Sequence, residues 1–235
     1  MSEQEPIEPQ QVLSDAELVE TFYRDCYHQV FDQQGFAGSM YRRTHRLVER
    51  GVDNSDKRIL EIGAGKGEHL AFVRGSFSEY VMLEPNQTSR IEADEPKVRV
   101  VAGRAEDTDF PPESFDRVIS MCVLHHVDDV AQVLRNIRSW LAPGGVFSLF
   151  LPSDPGVLNR LNRRLFVTPR ARRAGFDSYP LINAREHKNH YWAIKTELDH
   201  QFSGFGISRR YFPLPIPAGN LSLCSIWHLW KPSSD

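Results

Sequence analysis

Glu61-Ile62-Gly63-Ala64-Gly65-Lys66-Gly67 is the stretch of this sequence best suited to hold a ligand. Glycines directly behind a strand let the backbone turn sharply and approach a bound molecule closely. Twenty-one residues past Gly63 stands Glu84, at the end of the next strand-like run. An acidic side chain there can accept hydrogen bonds from both hydroxyls of a ribose. The two features fix two points of one nucleoside, so together they are far more specific than either alone. A dinucleotide fingerprint would place a third glycine where this chain has Glu68. A carboxylate at that point opposes a pyrophosphate at a helix start, which makes an NAD-dependent oxidoreductase the weaker alternative. The order fits a cofactor with a ribose, an adenine and an amino-acid end but no phosphate. The plainest alternative is a glycine turn that only packs helix on strand.

Two histidine groups could move protons. His125 and His126 directly follow a strand-like run, and ligands of open α/β sheets sit at the carboxyl ends of strands. They are either bases or part of a turn whose imidazoles bond the neighbouring backbone. The run Arg185-Glu186-His187-Lys188-Asn189-His190-Tyr191-Trp192 supplies the second group. His187 and His190 are spaced to share a helix face and are the candidate catalytic residues; a solvated polar helix is the alternative. A metal reading lacks a third ligand here, so no metal is expected. Arg160, Arg163, Arg164, Arg170, Arg172 and Arg173 interleave with Leu158, Leu161, Leu165, Phe166 and Val167. A basic amphipathic stretch can rest on an anionic membrane surface or hold a phosphate, or it forms a solvated lid.

The elements that must position these residues follow from the hydrophobic pattern. A capping box, Ser14 with Glu17, opens a helix whose Leu18, Phe22, Cys26 and Val30 form one stripe. A second helix is expected over Met40 to Arg50, ended by Gly51, with Tyr41, Arg42 and His45 either as a cover for the ligand or as a partly buried helix face. Strands are expected over 57–62, 80–83, 98–101, 115–121 and 146–151. A helix carrying Leu70, Phe72, Val73 and Phe77 should follow the first, and one capped by Asp128 the fourth. Alternation of this kind means βαβ units and a parallel sheet. Residues 153–200 break it with polar and helix-like pieces. Residues 207–212 and 221–230 then read as an antiparallel pair joined by the proline-rich 213–219 linker.

The chain has 235 residues, 40% apolar and 25% charged, with a formal net charge of −3. That suits one elaborated domain with a sizeable core and argues against disorder or general nucleic-acid binding. Eight acidic residues against the single basic Arg24 in residues 1–40 set a field opposed to the later arginine cluster. Three scattered cysteines form neither a disulfide framework nor a zinc cluster. With no signal segment and no long apolar run, the expectation is a cytoplasmic protein, with a candidate peripheral contact at the inner membrane face.

The sequence resembles the class I S-adenosylmethionine-dependent methyltransferases, in their small-molecule subgroup. The resemblance rests on EIGAGKG at 61–67, LEPN at 83–86, AEDTDFPPESFD at 105–116, VISMCVLHHVDD at 118–129 and PGG at 143–145, and covers about residues 55–152. It implies an α/β, Rossmann-like sheet of seven strands, mostly parallel, in the order 3-2-1-4-5-7-6 with strand seven antiparallel. It implies S-adenosyl-L-methionine as cofactor, with Gly63, Ala64 and Gly65 against it and Glu84 on its ribose. Ala105 and Glu106 would sit beside the adenine, Met121 at the pocket floor, and Glu61 would support the loop and reach the amino-acid end indirectly. The expected organisation is a tail and helical lid over 1–52, a cofactor core over 53–152, an acceptor-site insert over 153–203 and an edge hairpin over 204–235. The acceptor would be a small or lipid-linked molecule methylated on a hydroxyl or amine, with no nucleic-acid partner. A non-catalytic module that keeps the cofactor fold is the alternative.

Overall fold

The computed structural model describes residues 15–22, 24, 30, 35–85 and 95–233. Ser14 and Cys26 of the expected first helix lie outside them. Seven strands, β1 (Arg58–Ile62), β2 (Glu79–Glu84), β3 (Val98–Ala102), β4 (Phe115–Met121), β5 (Leu141–Pro152), β6 (Gly206–Phe212) and β7 (Cys224–Trp230), form one sheet. Its order is β3-β2-β1-β4-β5-β7-β6. The first five strands pair in parallel, and β7 runs antiparallel to both β5 and β6. Order and directions are those the family resemblance implied. The strand order reverses between β1 and β4, the point at which such sheets open a ligand crevice at their carboxyl ends.

Helices α1 (Asp15–Thr21), α2 (Gly35–Val48), α3 (Val130–Trp140), α4 (Val157–Asn162), α5 (Thr168–Arg173), α6 (Tyr179–Glu186) and α7 (Tyr191–Gln201) surround the sheet. A π-helical turn, Arg163–Val167, joins α4 to α5. The central strands are near-continuous apolar runs because both their faces are covered. On one face Val133, Leu134 and Ile137 of α3 and Ile194 and Leu198 of α7 pack with Phe147 and Trp227. On the other, Val48 of α2 packs with Ile59, Tyr80, Met82, Ile119 and Ile226. A third, smaller cluster joins Phe22 and Val30 to Val167, Ala171, Tyr179 and Ile182, which ties the N-terminal segment to the residues after β5. Among the described residues no helix is long and apolar enough to cross a membrane.

Several local expectations are corrected. No helix follows the glycine loop; there is only a 3₁₀ turn, Leu70–Phe72. His69 is turned inward there, bonded to His45 and Glu49, and glycines at 63, 65 and 67 hold positive φ that a helix cannot use. The second helix begins at Gly35 rather than Met40. The cap of α3 is Asp129, whose carboxylate accepts from the Gln132 N–H at 2.8 Å; Asp128 instead pairs with Arg104 and Lys188. β5 starts at Leu141, and Pro143-Gly144-Gly145 lies inside it as an irregularity, the register jumping from Phe115↔Leu141 to Arg117↔Val146.

Candidate active site

The glycine loop sits at the carboxyl end of β1, beside the carboxyl ends of β2 and β4. Gly63 has φ +61°, and a Cβ there would stand 2.4 Å from Val123 Cγ2. Both the turn and the close approach of the post-β4 segment therefore require glycine. The Gly63 N–H donates to Leu83 O at 2.8 Å and the Ala64 N–H to the same oxygen at 3.3 Å, locking the loop onto the end of β2. The Gly65 N–H donates to the Glu84 carboxylate at 2.9 Å. The Lys66 N–H donates to Glu68 Oε2 at 3.1 Å, so this loop N–H is already taken by a carboxylate. Glu61, fully buried, accepts from the Tyr80 hydroxyl at 2.8 Å. Burial pushes its carboxyl up to about 7, against the opposing effects of the His69 charge and the Tyr80 hydroxyl.

Ala105 is buried after β3, its carbonyl accepting from Asn136 Nδ2 at 2.9 Å. Glu106 Oε1 accepts from Arg104 Nη2 at 3.1 Å and from the Asp128 N–H at 2.9 Å, so it braces the loop after β4. Met121 ends β4, half-buried against the Ile226 cluster. The sequence-predicted cofactor residues thus come together around the carboxyl ends of β1 to β4.

The second half of the site is built from the turn after β4 and the loop between α6 and α7. Asn189 clamps the two: its Nδ2 donates to Leu124 O at 3.2 Å and Val127 O at 2.7 Å, and its N–H to His125 O at 3.2 Å. His125, His126 and His187 are brought into one group, with ring centroids 4.0 Å apart for His125–His126 and 4.4 Å for His125–His187. His126 Nδ1 bonds Glu186 O at 3.0 Å. His187 Nδ1 bonds Asp154 Oδ2 at 2.6 Å, and Arg163 Nη2 donates to Asp154 Oδ1 at 2.5 Å. Burial works against the Asp154 carboxylate, but the hydrogen bonds from His187 and Arg163 and the Arg163 charge hold it down at about 2. Burial also pushes His125 well down and, with the neighbouring His187, His126 down to about 4. Both rings are neutral at ordinary pH, with lone pairs available.

A sequence model of the methyltransferase domain matches residues 60–149. An uncharacterised methyltransferase of Bacillus subtilis (strain 168) is 33% identical over 134 residues, 50% of this chain and 51% of that protein. A sterol 24-C-methyltransferase of Eremothecium gossypii is 27% identical over 133 residues, 53% of this chain and 36% of that protein. The fold is shared with a S-adenosylmethionine-dependent methyltransferase from Thermotoga maritima, at a TM-score of 0.60 and 16% identity, over 91% of this chain and 98% of that one. Residues 60–149 are a methyltransferase domain, on the fold of the S-adenosylmethionine-dependent methyltransferases. The chain spans about half the length of the B. subtilis relative and a smaller share of the sterol enzyme.

Within this methyltransferase fold, His187 and His190 do not share a helix face. His187 ends α6 and His190 precedes α7, exposed and without a side-chain cap bond. The structure draws His187 into the histidine group and leaves His190 outside it. Arg163 leaves the surface cluster to hold Asp154, whereas Arg160, Arg164, Arg170, Arg172 and Arg173 stay exposed. His45, a candidate cover for the ligand, is instead buried, stacked on Phe72 with centroids 4.7 Å apart. It begins a polar network that the sequence did not disclose. His45 Nδ1 meets His69 Nδ1 at 2.7 Å, and His69 Nε2 meets Glu49 Oε1 at 3.0 Å. Glu49 pairs with Arg117 Nη1 at 2.8 Å, and Arg117 also donates to Asn54 Oδ1, Val48 O and Ser148 Oγ. Because His69 lies two residues past Gly67, this network anchors the exit of the glycine loop to α2 and β4. Its signal was a lone arginine within the apolar run of strand four. The signal for Asp154 was an acidic residue just past strand five.

Proposed function

We propose that the protein transfers the methyl group of S-adenosylmethionine to a hydroxyl or amine of a small or lipid-linked acceptor. The acceptor would lie between the turn after β4 and the 153–203 insert. The observation that carries this reading is the Asp154–His187 pair, at 2.6 Å, set beside the carboxyl end of β4 and next to a crevice that suits this cofactor. The crevice suits it because Glu84 and Glu68 accept from the loop N–H groups of Gly65 and Lys66, where a phosphate would need those donors free, and because Gly63 lets the segment after β4 approach the loop closely.

In this reading the backbone of Gly63, Ala64 and Gly65 lies against the cofactor and Glu84 binds its ribose. Ala105 packs by the adenine and Met121 forms the floor. Glu106 braces the adenine loop through its bonds to Arg104 and Asp128, and Glu61 supports the loop from beneath. When bound, the cofactor supplies an electrophilic methyl group. The chain's own part is to position the acceptor and take up its proton. His187 is the base: Asp154 accepts from its Nδ1, which fixes the tautomer and leaves Nε2 free to receive the proton. His126, held by Glu186 O, and buried His125 form the wall that orients the acceptor. His190, outside this group, is left as a contact to the acceptor's outer portion.

The exposed Arg160, Arg164, Arg170 and Arg173 alternate with exposed Val157, Leu161, Leu165 and Phe166. This favours an acceptor that bears phosphate, on a nucleotide-linked or lipid-linked sugar or a phospholipid headgroup, and a peripheral contact with an anionic surface. The test is incubation with isotope-labelled cofactor and fractionated cell metabolites, with separate lipid and aqueous pools. Label in a product bearing a new O-methyl or N-methyl group supports the reading. Enzyme that binds S-adenosylhomocysteine but labels nothing in either pool overturns it in favour of a non-catalytic module.

A further inference from the structure

We infer that His125, His126 and His187 form a binding site for a divalent transition-metal ion at the mouth of the sheet. One ligand nitrogen from each ring lies within 4.8 Å of the other two. The residues come from two segments remote in sequence, held together by the Asn189 clamp and the ion pair of Lys188 with Asp128.

Hydrogen bonding has already fixed two of the rings for this purpose. His126 Nδ1 donates to Glu186 O and His187 Nδ1 donates to Asp154 Oδ2, so Nε2 of each carries a free lone pair. A backbone carbonyl or a carboxylate on the far nitrogen is the arrangement that fixes the tautomer of metal-binding histidines and raises their basicity. Arg163 in turn holds Asp154. His125 adds an independent observation. It is 5% exposed, and its Nδ1 is buried with no hydrogen-bond partner among the described residues. Buried polar atoms almost always have partners, and a bound ion would give this ring one.

An all-imidazole donor set suits Zn²⁺, Co²⁺ or Ni²⁺ and not Mg²⁺ or Ca²⁺, which take oxygen ligands. Three protein ligands leave a tetrahedral ion one open position, which a water or a heteroatom of the acceptor would fill. The ion and a proton compete for the same lone pair of His187, so the loaded protein does not use His187 as a base. The inference stands on the histidine group alone and does not rest on the methyl-transfer reading.

The test uses the full chain, stripped with a chelator and titrated with Co²⁺, read by visible absorption and equilibrium dialysis. The expected result is a single bound ion with the intense absorption of tetrahedral coordination, displaced by Zn²⁺ and not by Mg²⁺. His126→Ala and His187→Ala should each weaken binding by about 100-fold or more. Asp154→Asn, a change in a positioning residue, should weaken it about 10–100-fold. His200→Ala, on the exposed end of α7, should leave it unchanged. Circular dichroism and cooperative urea unfolding report whether each variant is folded. Co²⁺ binding no stronger than that of an unrelated protein, or binding that survives both His126→Ala and His187→Ala, overturns the inference. Failure of the methyl-transfer reading would show separately, as Co²⁺ binding intact with no labelled product.

Discussion

Replacing Glu84 by Gln separates two roles that the geometry assigns to one carboxylate. Its Oε2 accepts from the Gly65 N–H at 2.9 Å, and in the proposed reading its carboxylate also accepts from the ribose hydroxyls. The amide keeps the volume and removes the charge. A hydrogen bond to a charged group contributes about 1.5–3 kcal/mol, which corresponds to a loss of about 10- to 150-fold in affinity. The sheet should persist, because Glu84 pairs with Ala102 through its backbone and its carbonyl still accepts from the Gly103 N–H. The assay is calorimetric titration with S-adenosylhomocysteine and with its 2′,3′-dideoxy analogue. The variant should lose affinity for the first and little for the second. Equal losses for both ligands would mean that Glu84 acts only by shaping the glycine loop. No loss for either, in a folded variant, would refute its place in the site.

Other outcomes follow from the same structure. Glu49→Ala leaves Arg117 buried at 1% exposure without its ion partner, and should cost about 3–5 kcal/mol in urea unfolding; a loss under about 1 kcal/mol would mean that water reaches Arg117. Glu61 titrates near 7 when folded, above its ordinary 4.5. Its contribution is therefore fully present below pH 4.5 and is lost as pH rises to 7, by roughly 3 kcal/mol. Glu61→Gln should gain on the wild type across that window, and parallel stability curves for the two proteins would contradict the assignment. Arg164→Glu, Arg170→Glu and Arg173→Glu together should abolish salt-sensitive co-sedimentation with anionic vesicles, to which each arginine adds about 1 kcal/mol. Equal, negligible sedimentation of the wild type on anionic and neutral vesicles would leave this stretch a solvated face.

The strands were legible because parallel strands covered on both faces leave apolar runs between glycine punctuation; their order came only with the family resemblance. The grouping of the candidate cofactor residues was legible because the glycines and Glu84 lie at strand ends of fixed spacing. What escaped depended on contacts distant in sequence. Asp154 becomes a partner of His187 only through the fold, and Arg163 is drawn off the surface by the same carboxylate. The spacing of His187 and His190 suggested a shared helix face, but a loop between α6 and α7 divides them and turns His187 toward His125. The segment after Gly67 has helical apolar spacing, yet the inward bonds of His69 to His45 and Glu49 hold it in turns.

The most direct test of the account is the rate of methyl transfer by His187→Ala on the acceptor identified with labelled cofactor, in chelator-treated protein so that no ion competes for the ring. Removal of a general base lowers turnover by about 10²–10⁴-fold, and the account predicts that loss with S-adenosylhomocysteine affinity unchanged. Full turnover by the variant would contradict it.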